Sequence, residues 1–483
     1  MENKIIKNSI YNVLYRLLNV LYPVLSSAYI ARVLTPESIG EVVFAQTLVT
    51  YFVTIASLGI PSYGAKVIGK NENDSSKRNN NFTELFLINS ISTLICLILY
   101  SLFIVFYSGM ADKILLIIFS SILICNVFNV DWLYQGIGDY KFIAIRNTII
   151  KIISMISLVA FVKTTNDYIW YTIILCFGTV GNYIFNIVNL KKHVKFTKSK
   201  LHIKRHLRPI IILLFATCAT EVYTMLDSTM IGMWCSKSDL AFYSNSVKIV
   251  RTIFTVLTAT VAVYLPQLSY YYSLNDKSAF LKLSNKGMKF SLFLAIPATV
   301  GIYMLSKQLI LCFYGANFIN CVSTMKILSI LIVVFSIAYM GGHVMLIATN
   351  HEYSILKATI FGAIINIIFN VFLIRNIGYN GAAISSIIAE IVVTSVLLFE
   401  AKEVVNYSIE NKFYISIIVS TIFMIVMVNI CINVFNNNLM QLLISTILGS
   451  IFYYFSSLLF GNEISISINN RIKSIFKKGL FRS

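Results

Sequence analysis

Basic side chains recur at helical spacing inside stretches of this chain that are otherwise apolar. Ser244, Lys248, Arg251, Thr255 and Thr258 stand at i, i+4, i+7, i+11 and i+14, a single polar stripe along one helix face. A stripe of this kind faces a cavity. Its cations suit oxyanions, Arg through a planar fork of donors and Lys as a point charge. Two further sets place cations within apolar runs: Arg16 with Asn19, Pro23 and Ser26, and Lys151 with Arg146 and Ser154. Acidic and titratable groups form a second class. Thr217, Glu221, Thr224 and Asp227 repeat the striped spacing, Asp131 stands alone in its apolar run, and His343 follows Gly341-Gly342. Glu221 and Asp227 could couple to a proton or sodium ion, and His343 could titrate near neutral pH. The alternative is structural. An ionisable group within a membrane is costly unless it faces water, a partner or a substrate. The cations therefore either line a cavity, pair with Glu41, Asp131, Glu221, Asp227 or Glu390 across helix contacts, or snorkel to the interface.

The elements that must position these groups are membrane helices. The 483 residues are 57% hydrophobic and 12% charged, with a mean hydropathy of +0.78, an apolar excess that excludes soluble folds. Each crossing needs about 20 apolar residues. About fourteen such runs are expected, near residues 9–31, 39–60, 84–108, 114–135, 143–162, 168–190, 209–233, 241–265, 287–306, 323–349, 354–374, 380–401, 412–434 and 438–460. Arg16 and Asn19 lie inside the first run and no small-residue cleavage site follows it, so it reads as a retained helix. Transmembrane strands would alternate apolar and polar residues, which runs such as ILLIIFSSILICNVFNV do not. The expected fold class is an all-α integral membrane protein.

With the N-terminus inside, the inner segments hold 28 of the 39 Lys and Arg residues, and the outer connections carry at most one each. Both termini are therefore expected in the cytoplasm. The net charge of +19 follows mostly from topology and attraction to anionic lipid, so membrane lipids are partners and nucleic acid is not. The eight cysteines are scattered without a CxxC, and the five histidines make no metal-ligand spacing, so no cofactor or metal is expected. Gly136-Ile137-Gly138 lacks the third glycine of a dinucleotide loop. Two glycosylation sequons, at Asn73 and Asn81, fall in an inner segment and read as chance. Trp132, Trp170 and Trp234 read as interfacial anchors.

Internal repetition organises the chain. A shift of 201 positions lays spans 1 and 2 over spans 7 and 8, so that Ile39-Gly40 meets Leu240-Ala241, and a similar shift sets LYQGIGDYK against MLIATNHEY. The stripe around Arg16 then overlies that around Glu221, and Asp131 falls at the register of His343. An even number of spans per repeat gives two lobes related by an axis along the membrane normal. The expected division is an N-lobe over 1–190, a basic linker over 191–208 (KKHVKFTKSKLHIKRHLR), a C-lobe over 209–402, two further helices over 403–460, and a basic amphipathic tail over 461–483. The tail, with Ile468, Ile472, Ile475, Phe476 and Leu480, resembles a helix lying on the inner surface. The polar segments 61–83 and 268–288 read as surface helices or loops.

Four stretches together resemble the Wzx-type polysaccharide biosynthesis flippases of the multidrug, oligosaccharidyl-lipid and polysaccharide exporter superfamily. They are NSIYNVLYRLLNVLYPVLSSAYIARVLTPESIGEVVFAQ, DSTMIGMWCSKSDLAFYSNSVKI, YQGIGDYKFIAIRN and NIGYNGAAISSIIAE. The resemblance implies two six-helix lobes plus two peripheral helices, no enzymatic chemistry, no cofactor, and outward transfer of an undecaprenyl-diphosphate-linked oligosaccharide, with other polysaccharide-assembly membrane proteins as partners. On that reading Arg16, Lys151, Lys248 and Arg251 attract the diphosphate, and Asp131, Glu221, Asp227 and His343 line the cavity or couple an ion. Three rivals stand beside it. A drug or cation antiporter of the superfamily needs an acidic or aromatic cavity, whereas the deepest stripe here is basic. A membrane glycan polymerase needs a sizeable outer loop, and every outer connection is short. A lipid II flippase fits the same features and differs only in substrate.

Overall fold

A computed structural model describes residues 21–71, 74–106, 109, 111–197, 201–405 and 407–480, without the side chains of 216, 219, 220, 222, 223 and 475–480. The described residues are helical throughout their regular structure, with no strand. In chain order the helices are α1 (21–33), α2 (Pro36–Ser57), α3 (Ile60–Lys70), α4 (Ser75–Phe106), α5 (Lys113–Cys125), α6 (Asp131–Gly136), α7 (Tyr140–Phe161), α8 (Tyr168–Leu190), α9 (Lys204–Trp234) and α10 (Lys237–Val261). They continue with α11 (Tyr264–Ser273), α12 (Lys277–Phe313), α13 (Cys321–Ala338), α14 (Met345–Ala348), α15 (Glu352–Ile377), α16 (Tyr379–Ala401), α17 (Asn411–Val434), α18 (Asn438–Leu459) and α19 (Glu463–Leu480).

Local chemistry sets many of the boundaries. Thr35 caps α2 by accepting the Ser38 N–H, with Pro36 in the first turn where its missing N–H costs nothing. Asp112, Asp139, Asp276 and Asn437 cap α5, α7, α12 and α18 in the same way. Leu58 and Gly59 adopt left-handed conformations that end α2 and redirect the chain into α3. Outward faces carry exposed Ile, Leu and Phe, such as Ile91, Leu94, Ile98 and Phe106 on α4, the belt expected of helices solvated by lipid.

Among the described residues ten helical stretches are long and apolar enough to cross a bilayer, or eleven when the bent pair α10–α11 is taken as one span. The expected count of fourteen is not reached, for three identifiable reasons. The first run falls largely outside the described residues. The seventh, α9, is 31 residues long but contains side chains outside them. The fourth is broken: α5 gives way to a 3₁₀ turn over Asn126–Phe128, and α6 begins only at Asp131. Carbonyls freed in that break are satisfied by side chains, as a non-aqueous setting requires. Asn89 Nδ2 donates to the Asn126 carbonyl at 3.1 Å and Asn186 Nδ2 to that of Phe128 at 3.4 Å. The segments 61–83 and 268–288, read as surface helices or loops, are largely helical: α3 and the start of α4 cover the first, and α11 and the start of α12, which runs for 37 residues, cover the second.

Cα packing groups the chain into two compact units, Met1–Ser244 and Asn245–Ser483. Within the first, α9 lies along α2 and α3. Gly59 packs on the Leu213 backbone, Tyr51 hydrogen-bonds Thr229 at 2.8 Å, and Gly232 abuts the Phe44 ring. Gly40 touches the Lys237 carbonyl so closely that a Cβ would sit 1.7 Å from its oxygen. Within the second unit, the α15–α16 hairpin turns on Gly378 (φ 63°), and Gly381 packs against the Leu373 carbonyl. The same unit contains a π turn over Tyr339–Val344, between α13 and α14. Both irregular spans, the 3₁₀ break and the π turn, lie at the register where sequence overlay aligns Asp131 with His343.

Candidate functional site

The second unit presents the α10 stripe. Ser246 and Asn245 are buried beside it: Ser246 Oγ donates to the Cys321 carbonyl at 3.1 Å, and Tyr314 OH donates to the Asn245 carbonyl at 3.2 Å. Phe254 packs on Phe335 with ring centroids 4.7 Å apart. These contacts leave Lys248 half-buried, and Arg251 and Thr255 exposed, on the remaining face. Lys248 Nζ lies 3.4 Å from Asn245 Oδ1, and among the described residues it forms no salt bridge. Thr252, Thr255 and Thr258 hydroxyls donate to carbonyls of their own helix. Two cations one turn apart on such a face can hold an oxyanion. His343 sits in the π turn, half-buried, its ring stacked on Tyr339 at 6.2 Å. Wide π turns re-aim a side chain within a helix and occur often at functional positions. Gly341 and Gly342 permit the turn because Leu398 and Leu397 occupy the space a Cβ would need.

In the first unit, Lys151 on α7 is half-buried with its ammonium 5.4 Å from the Tyr22 ring centroid. Arg16 lies outside the described residues. Asp227 on α9 is buried and accepts a short hydrogen bond from Tyr243 OH, and Glu221 is half-buried one turn and a half earlier. Asp131 is claimed by Arg146. The guanidinium donates to Oδ1 at 3.0 Å and to Oδ2 at 3.1 Å, and Nε donates to Asn182 Oδ1 at 3.0 Å. Asn186 completes the set, donating to Asp131 Oδ1 at 2.7 Å. A carboxylate matched by a guanidinium in this way already has its countercharge.

Sequence reasoning missed the buried carboxylate of Glu84. Glu84, in the third turn of α4, accepts hydrogen bonds from His202, Arg205 and His206 of the stretch leading into α9. The signal was present as a lone acid at the end of an apolar run, but the linker residues were counted only as topological charge. His193, in the same connection, is pushed below its ordinary pKa mainly by burial, against the pull of Asp139 at 3.9 Å.

A family profile described as "Polysaccharide biosynthesis protein" matches residues 5–271. A protein of Shigella dysenteriae named as an O-antigen transporter is 22% identical over 391 residues, covering 80% of this chain and 96% of that one. Among solved structures, a lipid II flippase in an inward-closed conformation superposes with a TM-score of 0.77 at 18% identity, covering 95% of this chain and 99% of its own. An inward-facing multidrug transporter of the MATE family gives 0.63 at 16% identity over 82% and 97%. At such identities the structures establish the fold alone. The apolar helices and these likenesses make this a multi-pass membrane protein with an exporter-type helical fold.

Proposed function

We propose, from the premise that this chain belongs to the polysaccharide biosynthesis protein family, that it is a flippase carrying an undecaprenyl-diphosphate-linked oligosaccharide outward across the bacterial cytoplasmic membrane. The observation that carries the reading is the open α10 face, where Lys248 has no carboxylate partner among the described residues and Arg251 is exposed one turn on. A cation left without a countercharge at membrane depth is tolerated where it meets water or an anionic substrate. Lys151, over Tyr22, is a second cation for the diphosphate, and Arg16 a third.

The transport cycle is alternating access. The cavity opens to the inner leaflet, the diphosphate settles on Lys248 and Arg251, and the headgroup crosses while the lipid tail stays in the bilayer. No covalent chemistry is needed. An inside-negative potential contributes about 2.3 kcal/mol per elementary charge per 100 mV and favours outward movement of an anion. That driving force lowers the need for an ion site. Asp131 is matched by Arg146, and Glu221, Asp227 and His343 are the further candidate groups for coupling an ion. Both termini lie in the cytoplasm on this reading.

The test is transbilayer movement of a fluorescent undecaprenyl-diphosphate oligosaccharide in proteoliposomes, wild type beside Lys248→Ala/Arg251→Ala. Protein-dependent movement lost in the double variant supports the flippase and its cationic site. Uptake of organic cations without lipid movement would assign the chain to drug export, and movement of lipid II alone would assign it to cell-wall precursor transport.

A further inference from the structure

Glu84 is nearly inaccessible, and among the described residues the donors to its carboxylate come from one five-residue stretch, 202–206. Oε1 accepts the His202 N–H at 2.6 Å. Oε2 accepts Arg205 Nε at 3.1 Å, Arg205 Nη2 at 2.7 Å and His206 Nε2 at 2.6 Å. Arg205 Nη2 also reaches Asn81 Oδ1, one turn earlier on α4, at 2.8 Å. On its other side His206 is buried against α3, with Nδ1 2.9 Å from Tyr63 OH. Since Nε2 donates to the carboxylate, a neutral His206 accepts a hydrogen bond from the Tyr63 hydroxyl at Nδ1, and one tautomer satisfies both partners.

The rest of the connection follows the same helix. Lys195 N–H donates to Asn79 Oδ1 at 3.0 Å and Thr197 N–H to Thr83 Oγ1 at 3.2 Å. Phe196 packs on Phe82 and Phe86, with centroids 5.5 and 5.2 Å away. Beneath these lie Trp132, Leu190, Val194 and Ile210 in one apolar cluster. Glu84 stands well inside α4, which begins at Ser75, so it does not cap that helix. A buried carboxylate with that many charge-assisted bonds is expensive to leave half-satisfied. Its partners are the residues where α9 begins.

We infer that Glu84 is a positioning residue: it clasps the first turn of α9 to α3 and α4, and so fixes the helix that carries Glu221 and Asp227. The basic linker is then more than a topological charge run. Arg205 and His206 have a specific acceptor, and their release would free the first turn of α9 while the rest of its length stays packed along α2 and α3. The transport consequence rests on the flippase reading; the structural one does not.

Three readouts on the full-length protein in proteoliposomes test this. The first is cleavage after Lys204 by trypsin, the second amide hydrogen exchange across 209–234, and the third lipid-linked oligosaccharide movement. Glu84→Gln sets an amide NH₂ against Arg205 and His206, and is expected to raise cleavage and α9 exchange about ten-fold or more. Transport should fall with them. Arg205→Gln, which leaves the His202 and His206 bonds, should give a smaller effect. His206→Gln, which keeps a donor for Glu84, should stay nearer wild type than His206→Ala, a distinction that nonspecific loss of packing would not make. Cleavage and exchange within about two-fold of wild type in Glu84→Gln would overturn the clasp. Raised exchange with undiminished transport would overturn its role in transport. If wild type moves no lipid-linked oligosaccharide, the flippase reading fails, and the first two readouts still decide the clasp.

Discussion

Arg146 and Asp131, fifteen residues apart on α7 and α6, meet in a two-point ion pair at 3.0 and 3.1 Å, with the arginine side chain 3% exposed and the aspartate 27%. The pair stands immediately after the 3₁₀ break in the fourth span, where backbone groups are freed and α6 must be re-anchored. Asn182 and Asn186 on α8 take the remaining donor and acceptor positions. The network thus joins α6, α7 and α8.

Removing one member strands the other. Arg146→Ala should destabilise the protein by about 3 kcal/mol, the lower end of the range for breaking a buried pair because Asp131 keeps some access to solvent. Asp131→Asn should cost less, since the amide oxygen still accepts from the guanidinium. Thermal unfolding in detergent ranks the two; equal stabilities for wild type and Arg146→Ala would contradict the assignment.

At Lys248 and Arg251 the expectation is opposite. Neither is needed for folding on the proposed reading, so single Ala variants should insert and unfold like wild type while lipid-linked oligosaccharide movement falls at least ten-fold, a loss of about 1.4 kcal/mol of binding or barrier lowering. Arg251→Lys should retain part of the activity because charge persists without the bidentate fork. Activity near wild type in both Ala variants would remove the stripe from the site.

Gly40 is dictated by backbone, not by a flexible neighbour. A Cβ there would overlap the Lys237 carbonyl at 1.7 Å, and Lys237 is itself fixed by a 3.0 Å bond to the Gly232 carbonyl and by the Phe44 ring 3.6 Å below its ammonium. Gly40→Ala should therefore cost about 3 kcal/mol or more, at or above the top of the usual overpacking range. Lys237→Met should cost about 1 kcal/mol through the lost cation–π contact and hydrogen bond. Unfolding midpoints of the purified variants check both.

Asp167 gives a pH-dependent prediction. In the link between α7 and α8 its carboxylate accepts the backbone N–H groups of Lys163 at 2.9 Å and Thr164 at 2.7 Å, which hold its pKa below the ordinary value. A depressed folded pKa contributes stability above the unfolded value, near 4, that is lost as pH falls through the folded one. Asp167→Asn should be less stable than wild type at pH 7, and the difference should shrink as pH falls below the ordinary carboxylate range and through the depressed folded pKa. A difference independent of pH would assign the effect to the loop backbone instead.

The all-helical membrane class was legible in the sequence because it rests on local quantities: apolar run length, the spacing of polar stripes, and caps such as Thr35-Pro36 and Asp112. The family resemblance was legible too, carried by short contiguous stretches, three of which lie within the residues 5–271 that the profile matches. The single-face stripe on α10 followed from periodicity alone, and the structure leaves Lys248 and Arg251 on the face not packed by Tyr314 and Phe335. Partner choice was not legible. Whether Asp131 meets an ion or Arg146, whether Arg205 meets lipid or Glu84 121 positions away, and that the fourth span breaks at Asn126 all depend on which helices the fold brings side by side. Hydropathy and periodicity describe each helix separately. The cost of burying a charge is settled only by the neighbour that tertiary packing supplies.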